Sequence, residues 1–428
     1  MMLKLRRITV TSLICAALLA AFAAAMATAR PAATPRATVT LRFATTAQQT
    51  RVWQVMIASF QKANPDIDVQ ARFLPGNYGT ALQTQLKAGN VPDVFFTSPG
   101  NGNGFATIPL ARAGFLMDLA GQPWVKRLQP AALPLVTRNK HKNVYAWPMD
   151  VQIGALWINE PGFKALGLKA PEKFSDLLTL CKKITKAGKT PMAEVGIPVS
   201  VASALGTALA GRSNAATPRW QAQRKTGKVK FATSKEWQRT FQSIIDMKNA
   251  GCFSPGVAGA STPAVAAQLA TGQALMYAGA GQILSLVNPL IKEPSKVSFI
   301  GVPMPGDKAG QTNVVITPFD ALSVWKDTKV KDAALKFVNF MAQSPQVTAF
   351  ARQSGNVNSL NATKGKLPAT MKALEPYFKS GKTQLNASLL WGNPATSDML
   401  GTGVVGMFTG QQTVASALKA LDTTYDAK

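Results

Sequence analysis

Residues 39–97 read VTLRFATTAQQTRVWQVMIASFQKANPDIDVQARFLPGNYGTALQTQLKAGNVPDVFFT, and their reading decides the fold. Val39, Leu41 and Phe43 alternate with polar neighbours, which predicts a strand. Across Arg51–Ala63, Val52, Met56 and Phe60 fall on one helical face, and Asn64-Pro65 stops the helix. Ile67, Val69, Ala71 and Phe73 alternate with Asp68, Gln70 and Arg72, giving a second strand. Tyr78–Ala88 reads as a helix ended by Gly89, and Val94-Phe95-Phe96 as a short, wholly apolar strand. This β-α-β-α-β order predicts an α/β fold with a mainly parallel sheet covered by helices. Ligands of such sheets sit beyond the carboxyl ends of the strands. That rule points at Thr45 and Thr46 after the first strand and at Thr97 and Ser98 after the third.

Upstream, Lys4, Arg6 and Arg7 precede an uncharged, largely apolar run from Ile8 to Ala25. Ala25-Met26-Ala27 and Ala27-Thr28-Ala29 then supply two cleavage patterns, so residues 1–29 read as a secretory signal peptide and 30–37 as a flexible leader. An uncleaved anchor is the rival reading, because the run nearly reaches membrane-spanning length. Cys15 follows Ile14 rather than a small residue, which gives no clear lipoprotein signal. A cleaved, periplasmic or otherwise extracytoplasmic chain is the expectation. Its cleavage leaves Cys181 and Cys252. In an oxidising compartment they can pair, closing a loop worth about 4 kcal/mol; two free buried thiols fit the sequence equally well.

Downstream, the helical period returns. Lys173–Ala187 carries Phe174, Leu177, Leu178, Cys181 and Ile184 on one stripe, and Glu236–Ala250 reads as another helix. Val330, Ala333, Ala334, Phe337, Val338 and Met341 form a third stripe, and Val414, Ala417, Leu418, Leu421 and Tyr425 a fourth. These stripes are core. A mature chain of about 400 residues exceeds what one core supports, so two lobes are expected.

The net charge is +27, and subtracting Lys4, Arg6 and Arg7 leaves +24. The basic residues are spread along the chain, densest in Arg138–Lys142 and Arg224–Lys230, without the aromatic interleaving of a nucleic-acid platform. A solvated basic surface is expected and nucleic acid is not; a basic envelope protein that adsorbs anionic polymer is an alternative. His141 is the sole histidine and sits in the polar run Asn139–Asn143, which reads as a surface loop and leaves no His-dependent triad. Zinc-type ligand clusters and phosphate or dinucleotide fingerprints are absent from the sequence, so no metal or cofactor is expected. A glycosidase needs only two carboxylates, and Asp150 with Glu160 is the best-placed pair for that alternative. Binding a neutral sugar needs ring faces and a few hydrogen-bonding groups. The eight tryptophans include three in predicted loops, Trp147, Trp220 and Trp391.

The ordered motifs resemble the extracellular solute-binding proteins of family 1, the maltose-binding-protein-like group, over nearly the whole mature chain. Phe60-Gln61-Lys62-Ala63-Asn64-Pro65 before Ile67-Asp68-Val69 is similar to F-x-K-x-N-P-x-I-x-V, and Leu86–Val94 to L-x-A-G-x-x-P-D-V. Gly114–Leu119 resembles G-x-L-x-D-L. Tyr145–Pro148 with Leu156–Asn159 resembles Y-G-x-P followed by L-x-Y-N. Gly272–Met276, Gly301–Pro305 and Ala333–Val338 match later family segments in order. The chain departs where the family often carries an aromatic: Thr45-Thr46-Ala47-Gln48 after the first strand, Ile158 in L-x-Y-N, and Phe174 for Trp in the following helix.

The resemblance implies two Rossmann-like α/β lobes of the periplasmic binding protein type II kind, joined by hinge crossovers, with the ligand cleft between them. It places residues 38–148 plus 318–360 in the first lobe and 149–317 plus 361–428 in the second, with crossings at Pro148, Thr312–Pro318 and Ser359–Lys366. It implies a non-enzymatic, monomeric capture subunit that takes a sugar or oligosaccharide to the transmembrane subunits of an ABC permease; an acidic or phosphorylated sugar or polyol is the variant. Motif match and loop position together select Thr45, Gln48, Thr97, Ser98, Asn101, Asp150, Gln152, Gly281 and Trp391 as ligand-binding residues. The run Gly100–Gly104 is expected to offer backbone donors near the pocket.

Overall fold

The structure is a computed structural model and describes residues 39–75, 77–213, 217, 219–360 and 367–427. The expected signal segment, leader and the 361–366 part of the third crossing lie outside the described residues.

The strands expected from alternation form at Val39–Thr46, Ile67–Leu74 and Val94–Thr97. They pair in parallel, Val39 opposite Ile67 and Phe43 opposite Val94. The helix Thr50–Ala63 buries Val52, Trp53, Met56, Ile57 and Phe60. It ends as its sequence requires, with the Asn64 N–H and side-chain amide both donating to Phe60 O at 2.9 Å before Pro65. The sheet is completed by two distant segments. Ala321–Val324 lies antiparallel to Val94–Thr97, and Trp147–Pro148 lies antiparallel to Ala321–Leu322. Its order is therefore Ile67, Val39, Val94, Ala321, Trp147, naming each strand by its first residue.

A second sheet is built on Asp150–Asn159, ten residues buried on both faces apart from Gly154 at an intermediate position, with an unbroken apolar run from Ile153 to Ile158. Val314–Pro318 and Ala274–Ala280 flank it antiparallel, with Thr383–Leu385 and Thr190–Met192 at the edges. Phe299–Val302 and Val357–Asn358 also pair with the Asp150 strand, at its two ends. Alternate side chains feed separate cores: Leu156, Ile158, Met276 and Ala278 on one face, Ile153, Ala155, Trp157 and Tyr277 on the other. The molecule thus has two α/β lobes, one per sheet, and the chain passes between them three times.

The helix Phe174–Lys186 opens with the Lys173 N–H donating to Asp176 Oδ2 at 2.9 Å. Leu180 is buried in its stripe, while Leu178 is only partly covered. Cys181 on this helix is bonded to Cys252, with Cα atoms 4.8 Å apart, which settles the choice between bridge and free thiols. Ala395–Thr409 packs along Val199–Ser213 and against Val414–Asp426. Arg224, read from the sequence as part of a surface basic cluster, is 2% exposed. It pairs with Asp422 at 3.0 Å and Asp426 at 2.9 Å, with the Tyr425 ring 4.0 Å from its guanidinium carbon.

Candidate functional site

The three crossings set the geometry of the space between the lobes. Pro148-Met149-Asp150 makes the first, Pro318–Ala321 the second, and Ser354–Val357 the third. The third begins upstream of the expected Ser359–Lys366, because Val357 already pairs with Val151 of the second sheet. Met149 N donates to Asp320 O at 2.7 Å, and Ser359 Oγ to Pro148 O at 3.0 Å, so the crossings are bonded to one another.

Asp150 lies at the centre of this bundle, with no exposed surface. Its Oδ1 accepts from Asp320 N at 3.2 Å, and its Oδ2 accepts from Ser354 Oγ at 2.9 Å and Asn356 Nδ2 at 2.7 Å. Expected to hold a sugar hydroxyl, its carboxylate is instead committed to the hinge. Burial is the largest influence on it and raises its pKa. Asp320 is 1% exposed, and burial followed by the nearby Asp150 charge holds its carboxyl well above the usual carboxylate range. Gln49 donates to Asp320 and accepts from Thr45 Oγ1 at 2.8 Å and Trp53 Nε1 at 3.1 Å.

The residues that the strand-end rule selects on the first sheet are already satisfied within the lobe. Thr45 and Thr97 are the last or next-to-last strand residues and are fully buried. Thr97 Oγ1 bonds to Ser323 Oγ at 2.8 Å and receives Thr107 Oγ1 at 3.2 Å. Ser98 is 1% exposed, with both backbone polar groups bonded. Gln48 is exposed and hydrogen-bonded to Thr46.

The Gly100–Gly104 run does supply backbone donors, one used inside the first lobe and one between the lobes. Gly100 N donates to Leu135 O at 2.7 Å, and Asn101 N donates across to Leu389 O of the second lobe at 2.8 Å. Gly100 takes φ +89°, and a Cβ there would collide with the Leu389 carbonyl, so only glycine permits this approach. The Asn101 side-chain oxygen is buried and has no hydrogen-bond partner among the described residues.

On the second lobe, Gln152 projects from the Asp150 strand and donates to Gln282 Oε1 at 2.6 Å. Gln282 follows Gly281, which is buried and where a Cβ would run into the Trp157 ring; glycine there lets the turn after Ala274–Ala280 pack on the indole. The loop tryptophans are structural. Trp147 and Trp391 are each 1% exposed and Trp220 is 4%. Trp391 meets Phe231 edge-on at 5.5 Å and bonds Gln221 through Nε1 at 3.1 Å, so it offers no stacking face to the cleft. His141 is exposed in a tight hairpin turn where Asn139, Lys140 and His141 all have positive φ. Glu160 follows the far end of the strand that Asp150 begins, about 30 Å away at the rise of a strand. Carboxyl groups that far apart exceed the separation of a glycosidase pair. Among the described residues no cluster of three metal-ligating side chains occurs.

Sequence reasoning missed Asp320, Gln282, Ser354 and Asn356. Asp320 left a signal: it is the lone acid between the apolar runs Val314–Pro318 and Ala321–Val324, where a charge needs a partner.

The family described as bacterial extracellular solute-binding protein matches residues 44–348. The chain is similar to the multiple sugar-binding protein of Streptococcus mutans, 27% identical over 335 residues that span 76% of this chain and 75% of that one. It is also similar to the melibiose/raffinose/stachyose-binding protein MelE of Bacillus subtilis, 25% identical over 145 residues, 34% of this chain and 32% of that one. Among solved structures, the solute-binding protein RafE in complex with raffinose superposes with a TM-score of 0.74 at 21% identity, covering 91% of this chain and 99% of RafE. A structure from a study of xylan utilization by Caldanaerobius polysaccharolyticus gives a TM-score of 0.75 at 22% identity, covering 90% and 99%. Two lobes, three crossings and a match running through both lobes agree: the chain belongs to the bacterial extracellular solute-binding protein family.

Proposed function

We propose that this chain is the sugar-capturing subunit of an ABC importer, exported through its N-terminal signal segment, and that it carries a neutral sugar or oligosaccharide to a membrane permease without chemical change. One observation carries the reading: three bonded crossings join two lobes, and side-chain amides stand on segments near the crossings, Gln48 and Asn101 in the first lobe and the bonded pair Gln152 and Gln282 in the second. An amide both donates and accepts, which matches the two roles of a sugar hydroxyl. The unpartnered Asn101 oxygen is a group that a ligand hydroxyl satisfies. Sugar-binding relatives support the class of ligand.

In this reading Gln48, Asn101, Gln152 and Gln282 touch the ligand. Thr45, Thr97 and Ser98 hold the first lobe's wall in shape, Gly281 sets the turn under Gln282, and Asp150 and Trp391 serve the hinge and the core. Closure of the lobes on ligand shifts an equilibrium between open and closed forms.

The test is a thermal-shift screen of the mature protein against raffinose, stachyose, melibiose, malto-, xylo- and chito-oligosaccharides. Binding to the native state alone raises the melting temperature. A shift with one sugar class, and recovery of that sugar intact after incubation, is the expected result. No shift with any of them, or conversion of the sugar, overturns the proposal.

A further inference from the structure

Asp150 and Asp320 stand on different crossings, and neither is exposed by more than 1%. Asp320 N donates to Asp150 Oδ1 at 3.2 Å, and each carboxyl is a hydrogen-bonding neighbour of the other. Two carboxylates have only acceptors to offer, so a hydrogen bond between them requires a proton on one. Asp320 Oδ2 has no donor among the described residues, which leaves an oxygen for that proton to occupy. All other partners are neutral: Gln49 from the end of the first strand's turn, Ser354 from the helix Ser344–Ser354, Asn356 from the third crossing, and Asp320's own backbone N–H. The cations carried by the packed helices, Arg51 and Lys62 on Thr50–Ala63 and Arg352 on Ser344–Ser354, are exposed. No Lys, Arg or His contributes to the shift of either carboxyl.

We infer that Asp150 and Asp320 share a single proton and act as a clamp between the first and second crossings, positioning the lobes for closure. Loss of that proton to hydroxide leaves two adjacent carboxylates and water. Like charges a hydrogen bond apart in a dry site repel strongly, and they push apart the strands that carry them. The clamp therefore holds while the pair keeps its proton and slackens as rising pH removes it. The protonation does not depend on what the cleft binds; its effect on ligand capture rests on the sugar-binding reading above.

The sign of the stability effect follows from linkage. In the unfolded chain both aspartates ionise near pH 4. The folded pair keeps its proton to higher pH, burial and then the mutual charge raising Asp320 and burial raising Asp150. Above pH 4 the folded state thus binds one proton more than the unfolded state, and its folding constant falls about tenfold per pH unit until the pair ionises. Asp320→Asn, which keeps a neutral hydrogen-bonding group at the same place, lacks this fall.

Three readouts on the ligand-free mature protein test the clamp. Infrared difference spectroscopy at pH 7 is expected to show a protonated carboxyl band that disappears in Asp320→Asn. Urea unfolding between pH 5 and 7 is expected to show the wild type losing stability relative to Asp320→Asn by about tenfold in folding constant per unit. Small-angle scattering is expected to show the wild type expanding in alkali while the variant does not. If Asp320→Asn fails to fold, Asp150→Asn takes its place, and the wild-type infrared titration stands without either. No acid band at pH 7, or parallel pH profiles for wild type and variant, overturns the inference. So does an absent band together with stabilisation by added sodium or calcium, which assigns the site to a cation. Failure to bind any sugar overturns the proposed function and leaves these three results as they are.

Discussion

Reducing the Cys181–Cys252 bond is predicted to cost the second lobe a large share of its stability. The bridge joins the helix Phe174–Lys186 to the segment after Lys235–Asn249, with a sequence separation of 71 residues. The loop it closes carries Val199–Ser213 and Lys235–Asn249, which form much of the second lobe's larger core. The chain-entropy relation for a loop of this size gives about 4 kcal/mol at 25 °C. Both sulfurs are fully buried, so reduction in the folded state also places two thiols where one bond fitted. With a urea m-value of about 3 kcal/mol/M, the midpoint falls by about 1.3 M. The assay is urea unfolding of the same preparation before and after reduction, with Cys181→Ala/Cys252→Ala as the variant that must not respond to reductant. Two free thiols in protein matured in an oxidising compartment, or midpoints that agree within 0.3 M, would refute the reasoning.

Asp422→Asn removes one of two acids that neutralise buried Arg224 and weakens acceptance from Phe231 N and Ala232 N, each bonded at 2.9 Å. With Asp426 still in place, the expected loss is about 2–4 kcal/mol, read by urea unfolding. Gln152→Ala deletes one of the amides proposed to touch the ligand and is expected to weaken the sugar found by thermal shift about tenfold in titration calorimetry. The melting temperature of the ligand-free protein should stay within about 3 °C, because one hydrogen bond is worth about 1 kcal/mol.

Periodicity carried the fold because local chemistry and tertiary burial agree in the first hundred residues. Val39, Leu41 and Phe43 alternate and are packed as they alternate; Asn64-Pro65 stops the helix that the apolar spacing starts. The site was harder to read for a physical reason. Position at a strand end says where a residue is, and says nothing of whether its side chain is already satisfied. Thr97 is satisfied by Ser323, a partner 226 residues later. Asp150 looked like a ligand because it is polar and follows a crossing, yet its partners Asp320, Ser354 and Asn356 come from the other two crossings. Trp391 sits at the end of a short helical turn in a loop, and loop residues are usually exposed. Its burial depends on Phe231 and Trp237, which reach it only in the folded lobe. Gln152 needed no distant partner to be noticed, but pairing with Gln282 was invisible across 130 residues.

The interleaving of the two sheets also governs when folding can begin. The strand Ala321–Val324 sits between Val94–Thr97 and Trp147–Pro148, so the first sheet has a gap until residue 324 of 428 is free to enter it. The second lobe waits longer, for the edge strand Thr383–Leu385 and the helix Ala395–Thr409. Under the export proposed above, a chain delivered N-terminus first would stay a pliable thread for most of its passage, since its late contacts span hundreds of residues. The same lateness leaves the edges of Val94–Thr97 and Asp150–Asn159 unpaired on the way. Timing of this kind favours transit over early collapse, and it makes the last quarter of the sequence the step that commits both lobes.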